Sequence, residues 1–419
     1  MNVYDYIDEY GIYSFEEKPF NKVDATIFSF LVYADLKLCF KKSRMTIKEL
    51  GRVNVGIYKK KDNNVLAVRE GNKLLGYLKD TKRYKDCLVY NFSIDETQDI
   101  QFCAVSIEYL KNKVFVAFEG TNALFSGWKE NFLLTYEFPT KTHKKAIAYL
   151  NRLFTFSRCE LLVGGHSKGG NLAMVASMYA NIFVQRKIKF VYNLDGPGVL
   201  DEEFNSVNFK HLKKKYIHII PDYSVVGMCL NNANEYVIKA SVKSVYCHNI
   251  VYWEIGNDYD FVKAELSDYS KELSCEFKKL LRKYSNEDKK NLIINLFLEV
   301  VRMGVFKNLS SAIKLKSKQA AELSKALDSI TESIKDEDKT WRQIYGEANS
   351  DVTLKKYCLK NKNKPHSIAG VAISTLVSAL KKGNCLKACK AFLLKSSEIN
   401  GDAAAVANIM VKRFKQLSN

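Results

Sequence analysis

Short apolar runs that end at glycine or proline alternate with helix-forming stretches from about residue 101 onwards. Residues 142–154 and 170–181 predict helices in this part of the chain, and a further helix is predicted over residues 21–40. Buried strands that alternate with helices are typical of a mostly parallel sheet with helices on both faces. The pattern therefore predicts an α/β fold. Its buried strands are predicted at residues 114–118, 161–163, 190–194 and 216–220.

After about residue 261 the strand-like runs stop, and lysine-rich amphipathic helices are predicted instead. We therefore predict an α/β domain over residues 1–265 and a basic α-helical region over residues 266–419. The uncharged stretch 367–380 is shorter than the ~20 residues that cross a bilayer. It favours a buried helix, with a helix on a membrane surface as the alternative. The predicted helices cover roughly residues 263–284, 287–306, 308–334, 366–381, 383–398 and 402–416.

The charge of the chain is unevenly distributed. Among its 419 residues, 65 Lys and Arg stand against 46 Asp and Glu, which gives a net charge of +19. Residues 266–419 hold 29 of the basic and 16 of the acidic residues, and therefore +13 of that charge. Such a surface attracts anionic lipid or nucleic acid, although a lysine-rich solvated face is the simpler alternative. No helix-turn-helix, zinc-finger or RRM-like pattern is present, so no nucleic-acid partner is expected.

The ten cysteines are scattered along the chain, and none of them forms a CxxC pair. A chain of this length does not need disulfides, and several cysteines lie within apolar runs, which favours reduced, buried thiols. The first 13 residues are acidic and aromatic and lack the basic segment and apolar core of a signal peptide. We therefore expect a cytoplasmic protein that uses neither a metal nor another cofactor, with peripheral attachment to a membrane as the alternative.

The strongest chemical signal is the sequence Gly165-His166-Ser167-Lys168-Gly169. It is a G-x-S-x-G pattern with an apolar run before it and a helix-forming run after it. Such a turn holds a serine in strained backbone geometry at the end of a strand, where side chains on the flanking glycines would collide with neighbouring elements. Ser167 is therefore the candidate nucleophile. The alternative is a structural glycine turn with an incidental serine.

A nucleophilic serine needs a base, and the chain has six histidines. His248 follows the strand-like run 236–245 and lies in a loop that can reach back over the sheet, so it is the predicted base. The other five are less suited by position. His143 precedes the serine, His166 belongs to the turn itself and points away, His211 lies in a basic helical run, His218 lies within a strand, and His366 lies beyond the predicted boundary.

Two acids compete to orient this base. Asp195 ends the strand after the serine, and Asp222 ends the next strand along the chain. The acid of such a triad fixes the tautomer of the imidazole and stabilises the imidazolium. We favour Asp222 because it stands one strand farther on, the usual place for the acid in this order of residues. Asp195 precedes Gly-Pro-Gly, where an aspartate commonly shapes a turn.

An oxyanion hole needs two backbone N–H donors near the developing negative charge. The first is predicted at Lys168, which follows the nucleophile at the start of a helix. The second is predicted at Thr121, in the loop after the apolar run 114–118 and Gly120. For this second position an ordinary strand-to-loop turn is the alternative.

Four motifs occur in an order that resembles a known family: FEGT at residues 118–121, GWKE at 127–130, GGHSKGGNLA at 164–173 and DGPG at 195–198. With them the chain resembles a bacterial family of poorly characterised α/β-hydrolases that is itself similar to class 3 lipases. The resemblance covers about residues 10–260. It implies an α/β-hydrolase-type sheet, followed here by the C-terminal helical region.

The resemblance also implies roles for individual residues. It makes Ser167 the nucleophile, Asp222 the acid and His248 the base, with Thr121 at the oxyanion position. The lipase-like pattern has arginine where this chain has Glu119, which changes the charge beside the oxyanion loop.

Together these residues predict a lipase- or esterase-like serine hydrolase that cleaves a carboxylic ester of a lipid or acyl-carrying molecule through an acyl-enzyme. The basic helical region would then hold the enzyme against an anionic membrane surface. The alternative, motivated by Glu119, is a non-catalytic binding or scaffold protein on a hydrolase fold, whose basic helices bind a partner or a membrane. The intact set of Ser, Asp and His argues against that alternative.

Overall fold

The computed structural model describes residues 1–58, 66–97, 100–121, 130–131, 133–283 and 286. The chain divides into two compact units, one of Met1–Asn122 with Glu137–Lys271 and one of Ala123–Tyr136 with Glu272–Asn419. The first unit carries the sheet and the candidate site. The helices predicted beyond residue 286 lie outside the described residues, and the domain boundary near residue 265 stays a prediction.

The first unit is built on an eight-stranded sheet whose strands follow one another in chain order from β1 to β8. Strands β1 to β4 pair antiparallel, and β4 to β8 pair parallel. The parallel half contains the strands predicted from the sequence, so the α/β prediction is confirmed. The strands are β1 Arg44–Thr46, β2 Leu88–Glu96, β3 Gln101–Leu110, β4 Lys113–Phe118, β5 Glu160–His166, β6 Ile188–Leu194, β7 Tyr216–Pro221 and β8 Glu235–Ile238.

The predicted helix over residues 21–40 is two helices, separated by a turn in which the Asp35 amide donates to the side-chain oxygen of Asn72 at 2.9 Å. Of the helices in the described ranges, none is long and apolar enough to cross a membrane. In the same described ranges, the loops between the helices and strands contain three 3-10 segments, which are Lys213–Lys215, Ser244–His248 and Ile250–Tyr252. The α-helices are α1 Val3–Tyr10, α2 Lys22–Leu31, α3 Leu36–Cys39, α4 Ile47–Tyr58, α5 Leu66–Leu78, α6 Lys141–Phe154, α7 Lys168–Tyr179, α8 Ile182–Lys187, α9 Asp201–Asn205, α10 Val207–Leu212 and α11 Asp268–Lys283.

Each face of the sheet is covered by its own hydrophobic core, because side chains alternate between the two faces along a strand. On β4, Phe115 and Ala117 belong to the core that includes residues of α1, α2, α4 and α5. Val114 and Val116 of the same strand belong to the core that includes α6 and α7. Helices therefore cover both faces, as the sequence pattern predicts.

A buried ion pair joins α2 to the segment between α5 and β2. The Asp24 carboxylate and the Arg83 guanidinium are both fully buried, with Nε–Oδ1 and Nη2–Oδ2 distances of 2.8 and 2.6 Å. The Tyr84 hydroxyl donates to the same carboxylate at 2.6 Å, and the remaining guanidinium donors bond to main-chain carbonyls of the loop before α2. Buried charges are tolerated only when they are satisfied in this way. Through α2, the pair positions Tyr33, which reaches the candidate site.

Candidate active site

Ser167 occupies the sharp turn between β5 and α7. Its backbone has φ 58° and ψ −130°, in the left-handed region that a serine rarely adopts. A Cβ on Gly165 would lie 2.3 Å from the backbone of Gly169, and a Cβ on Gly169 would lie 2.1 Å from the carbonyl oxygen of Phe118. The two glycines are therefore required by close packing. The Ser167 amide donates to Leu194 O at 2.9 Å, which fixes the turn beside the end of β6.

His248 is paired with Asp195, across a distance of 2.6 Å between Nδ1 and Oδ2. The Asp195 side chain is fully buried, and its other oxygen accepts hydrogen bonds from the Ser224 hydroxyl and, at 3.1 Å, from the Gly227 amide. Because a carboxylate only accepts, His248 presents its Nδ1–H to Asp195 and its Nε2 is left to exchange protons with a substrate or a nucleophile. The loop after β7 thus supplies the donors that hold the acid.

The predicted pairing of His248 with Asp222 is corrected by this geometry. Asp222 follows β7, and its carboxylate accepts a hydrogen bond from the Ala240 amide at 3.3 Å. Burial raises the pKa of this carboxyl above its usual value. Asp195 takes the place beside the imidazole because it directly follows β6, the neighbour of the serine strand, with a positive φ of 48° that turns the chain there. An aspartate tolerates this conformation better than most residues.

His166, discounted from the sequence, holds the loop that carries His248. Its Nε2 lies 2.7 Å from the main-chain oxygen of His248, and its Nδ1 lies 3.3 Å from the hydroxyl of Tyr33. Since a carbonyl only accepts, Nε2 carries the proton and donates it. Burial and the nearby His248 lower the pKa of His166 well below its usual value, so the ring is neutral. The two histidine rings lie 4.4 Å apart between centroids.

The loop after β4 passes directly beside the nucleophile. A Cβ on Gly120 would lie 3.1 Å from Ser167 Cβ and 1.9 Å from the Tyr33 hydroxyl, so only glycine fits here. Thr121 follows in this loop and is half-buried. Lys168 begins α7 on the other side of the serine. Lys168 thus directly follows Ser167 in the chain, and Thr121 follows Gly120, which lies beside the serine. The oxyanion role of both residues stays a prediction.

A buried polar network ties this loop to α7. Lys168 is almost fully buried, and its ammonium donates to the main-chain and side-chain oxygens of Gln101, both at 2.7 Å. The Gln101 amide in turn donates to Glu119 at 2.8 Å and to Gly120 O at 3.0 Å. Burial raises the pKa of Glu119 to about 8, although the Lys168 charge opposes the rise. The residue that departs from the lipase-like pattern is thus built into the support of the oxyanion loop.

A second buried histidine joins α6 to the serine helix. His143 Nδ1 accepts from the Thr140 amide at 3.1 Å, and its Nε2 lies 2.7 Å from the side-chain oxygen of Asn171. Asn171 donates to Gly198 O at 2.8 Å, in the turn that follows Asp195. Burial lowers the pKa of His143 to about 4, so this ring is neutral as well. The sequence offered no signal for this contact.

In the residues that the structure describes, no three His, Cys, Asp or Glu side chains are grouped so that they could hold a metal ion. The seven cysteines in the same part of the chain carry free thiols, and those at positions 39, 87, 103 and 247 are buried. The side chains described above at the carboxyl edge of the sheet include those of Ser167, His166, His248 and Asp195.

Comparison with known proteins gives a match to a family model and a likeness to solved structures. The family model described as Mbeg1-like matches residues 78–298, which is more than half of the chain. Among solved structures, the chain is similar to a protein whose crystal structure is described as that of M37 lipase, with 14% sequence identity and a TM-score of 0.32. That likeness covers 49% of this chain and 68% of the other. No curated protein matches the chain.

Proposed function

The chain belongs to the Mbeg1-like family, and from that premise and the geometry of the site we propose that it is a serine hydrolase that cleaves carboxylic esters. The lipase-like character inferred from the sequence motifs is part of this proposal. The bacterial origin stays a prediction. The observation that carries the proposal is the hydrogen-bonded pair of His248 and Asp195 at the edge of the sheet where the strained Ser167 turn also lies.

In this proposal Ser167 Oγ attacks the ester carbonyl carbon while its proton passes to His248 Nε2. Asp195 keeps Nδ1–H in place and stabilises the imidazolium. The tetrahedral intermediate collapses when His248 returns the proton to the leaving alcohol, which breaks the ester bond and leaves an acyl-serine. A water molecule, deprotonated by His248, then attacks the acyl carbonyl, and the carboxylic acid leaves as the Ser167 hydroxyl is restored.

The negative charge on the carbonyl oxygen needs donors that are fixed before the reaction. We assign this role to the backbone amides of Lys168 and Thr121. The hydrogen-bonded network of Lys168, Gln101 and Glu119 supports the assignment. It joins the loop after β4, which carries Thr121, to the start of α7, where Lys168 lies. Removal of one such donor slows acyl transfer by about 10²–10³-fold in hydrolases.

The substrate class is proposed from the lipase-like sequence motifs. We propose an ester of a lipid or of another acyl-carrying molecule, cleaved without a metal or other cofactor by a cytoplasmic protein. The basic helical region beyond residue 265 is proposed to bring the enzyme to an anionic membrane.

The test is labelling of the full chain with a fluorophosphonate probe, which reacts only with an activated serine. We expect the intact protein to be labelled and both Ser167→Ala and His248→Ala to lose the label. Ser157→Ala is the matched control, because this serine precedes the other end of β5, and it should be labelled as well as the intact protein. Turnover of p-nitrophenyl esters of increasing acyl length then measures the chain-length preference.

Failure of the intact protein to react, in the presence of anionic vesicles as well as in their absence, would contradict the proposal. That outcome favours the alternative of a binding or scaffold protein on a hydrolase fold. Buried Glu119 near the oxyanion loop motivates this alternative, and retention of a partner by Ser167→Ala would be its signature.

A further inference from the structure

A second surface of the first unit combines exposed apolar and basic side chains. It lies at the amino edge of the sheet, where the parallel strands β5 and β6 begin. We call it the basic–apolar surface. Its exposed fractions are unusual for large apolar residues: 96% for Phe156, 58% for Phe183 and 52% for Ile182. The surface consists of Phe156, Ile182 and Phe183 together with the exposed basic residues Arg152, Arg158, Arg186 and Lys189.

Hydrogen bonds join the segments of this surface into one patch. Asn181, which caps the start of α8, donates its side-chain amide to the Thr155 hydroxyl at 2.6 Å. Lys187, the last residue of α8, donates to Thr155 O at 2.8 Å and to Phe154 O at 2.6 Å. Both ends of the helix that carries Ile182 and Phe183 are thus tied to the residue that precedes Phe156. The apolar side chains therefore project from neighbouring points of the same edge.

The charge of the patch is predominantly positive. In residues 151–160 and 181–190, five Lys and Arg stand against a single acidic residue, Glu160. Glu160 is 3.8 Å from Lys189, an exposed pair that neutralises little of the surrounding charge. The arginines at positions 152, 158 and 186 remain exposed around the phenylalanines.

We propose that the basic–apolar surface docks onto an anionic phospholipid bilayer. Aromatic side chains at a loop and at a helix end can enter the headgroup region, while the surrounding arginines meet anionic lipid. These side chains do not form the groove that a peptide ligand would need, because Phe156 protrudes almost completely into solvent. An acidic peptide would leave the exposed phenylalanines without a partner. The exposed aliphatic Ile182 beside Phe183 favours lipid over a single-stranded nucleic acid, whose bases stack on aromatic rings.

The position of the surface determines how the protein would face the membrane. Phe156 and Arg158 precede β5, whereas Ser167 follows it. A strand of 7 residues places the two ends about 20 Å apart. A bilayer at the amino edge therefore leaves the carboxyl edge, with Ser167 and His248, open to the aqueous side. Docking does not depend on hydrolysis, so it goes beyond the proposed function.

The test is cosedimentation of the full chain with vesicles of phosphatidylcholine alone or mixed with phosphatidylserine. We expect binding only to the mixed vesicles, weakened by high salt. The double variant Arg158→Glu/Arg186→Glu should bind at least about thirtyfold more weakly, because each basic residue near the surface contributes strongly to the attraction. Phe156→Ser/Phe183→Ser should bind at least about tenfold more weakly through lost apolar burial.

Two matched controls separate the surface from net charge and general hydrophobicity. Arg52→Glu/Arg69→Glu changes the same charge on the exposed arginines of α4 and α5, and Ile12→Ser removes an exposed apolar side chain elsewhere. Both should bind like the intact chain. All variants should keep fluorophosphonate labelling, so a loss of docking is distinguishable from a failed hydrolase proposal.

Three outcomes would overturn the docking proposal. The first is equal binding by the surface variants and their controls. Both would keep it if the basic helical region alone carried membrane binding, and both would lose it if net charge alone decided it. The second is equal binding to neutral and anionic vesicles. The third is binding of an acidic peptide or RNA through Arg158 and Arg186 by a chain that ignores both kinds of vesicle.

Discussion

The two edges of the parallel sheet differ in which side chains they bury. At the carboxyl edge, Asp195, His166 and Lys168 are polar or charged, yet each is buried and held by hydrogen bonds. At the amino edge, Phe156 and Phe183 are apolar, yet both are exposed beside arginines. A buried polar group is costly unless it is satisfied, and an exposed apolar patch usually meets a partner. The difference therefore supports the proposals of catalysis at the carboxyl edge and of docking at the amino edge.

The largest expected effect is at the acid of the carboxyl edge. Asp195→Asn should lower the kcat for ester hydrolysis by about 10⁴-fold, because an amide no longer holds Nδ1–H and the imidazolium loses its countercharge. Asp222→Asn is the matched control, since its carboxylate contacts the Ala240 amide. It should stay within about tenfold of the intact enzyme. A reversal of the two effects would restore the pairing predicted from the sequence.

The next effect compares two phenylalanines that are two residues apart. Phe154 is 2% exposed in the core beneath α6, whereas Phe156 is 96% exposed. Phe154→Ala should lower the free energy of unfolding by about 3–5 kcal/mol, and Phe156→Ala should change it by less than about 0.5 kcal/mol. Urea unfolding followed by circular dichroism measures both. A large destabilisation by Phe156→Ala would show that this side chain is packed and would remove the basis for docking.

His166 tests whether support of the base matters for catalysis. His166→Ala leaves the His248 carbonyl without its donor, and we expect kcat to fall by about 100-fold with KM little changed, as for a small misplacement of a catalytic group. His166→Gln should recover much of the loss, because its amide can donate from the position of Nε2. The pH profile of kcat/KM is the second readout. Its acidic limb, on which the catalytic base becomes protonated, should shift in His166→Ala alone. Loss of stability without a change in that profile would mean a purely structural role.

The smallest effect concerns Glu119 and depends on pH. Burial raises its pKa to about 8 in the folded chain, above the ~4.3 of an unfolded glutamate. Between these values the folded state binds more protons than the unfolded state, so Glu119 lowers stability as the pH rises from about 4.3 towards 8. Glu119→Gln keeps a hydrogen-bond acceptor for Gln101 but does not titrate. Its stability relative to the intact protein should therefore increase from pH 5 to pH 8.

Melting temperatures of the two proteins at several pH values give this difference. Glu17→Gln is a suitable control, because this carboxylate is exposed and its pKa is lowered by Lys82 rather than raised. A relative stability of Glu119→Gln that falls as the pH rises would indicate that Glu119 is ionised beside Lys168 in the folded chain.

Part of the candidate site, the Ser167 turn, could be predicted because its geometry depends on residues that are close together in the sequence. The glycines around Ser167 predict a turn that only small residues allow, and the apolar runs predict buried strands. The choice between Asp195 and Asp222 could not be made in this way. Both end a strand, and the reach of each towards His248 depends on the path of the loop after β8. The sequence run 236–245 becomes a strand only as far as Ile238, after which the chain turns back.

The sequence by itself determined the α/β class, the strands of the parallel half and the serine turn, because periodicity and glycine spacing are local properties of the chain. Only the tertiary structure decided that Asp195 meets His248, that His166 supports it and that Glu119 and Lys168 share a buried network. It also brought Phe156 and Phe183 to one edge. These contacts join residues far apart in the chain, and their distances are set by packing across the sheet, which no local pattern records.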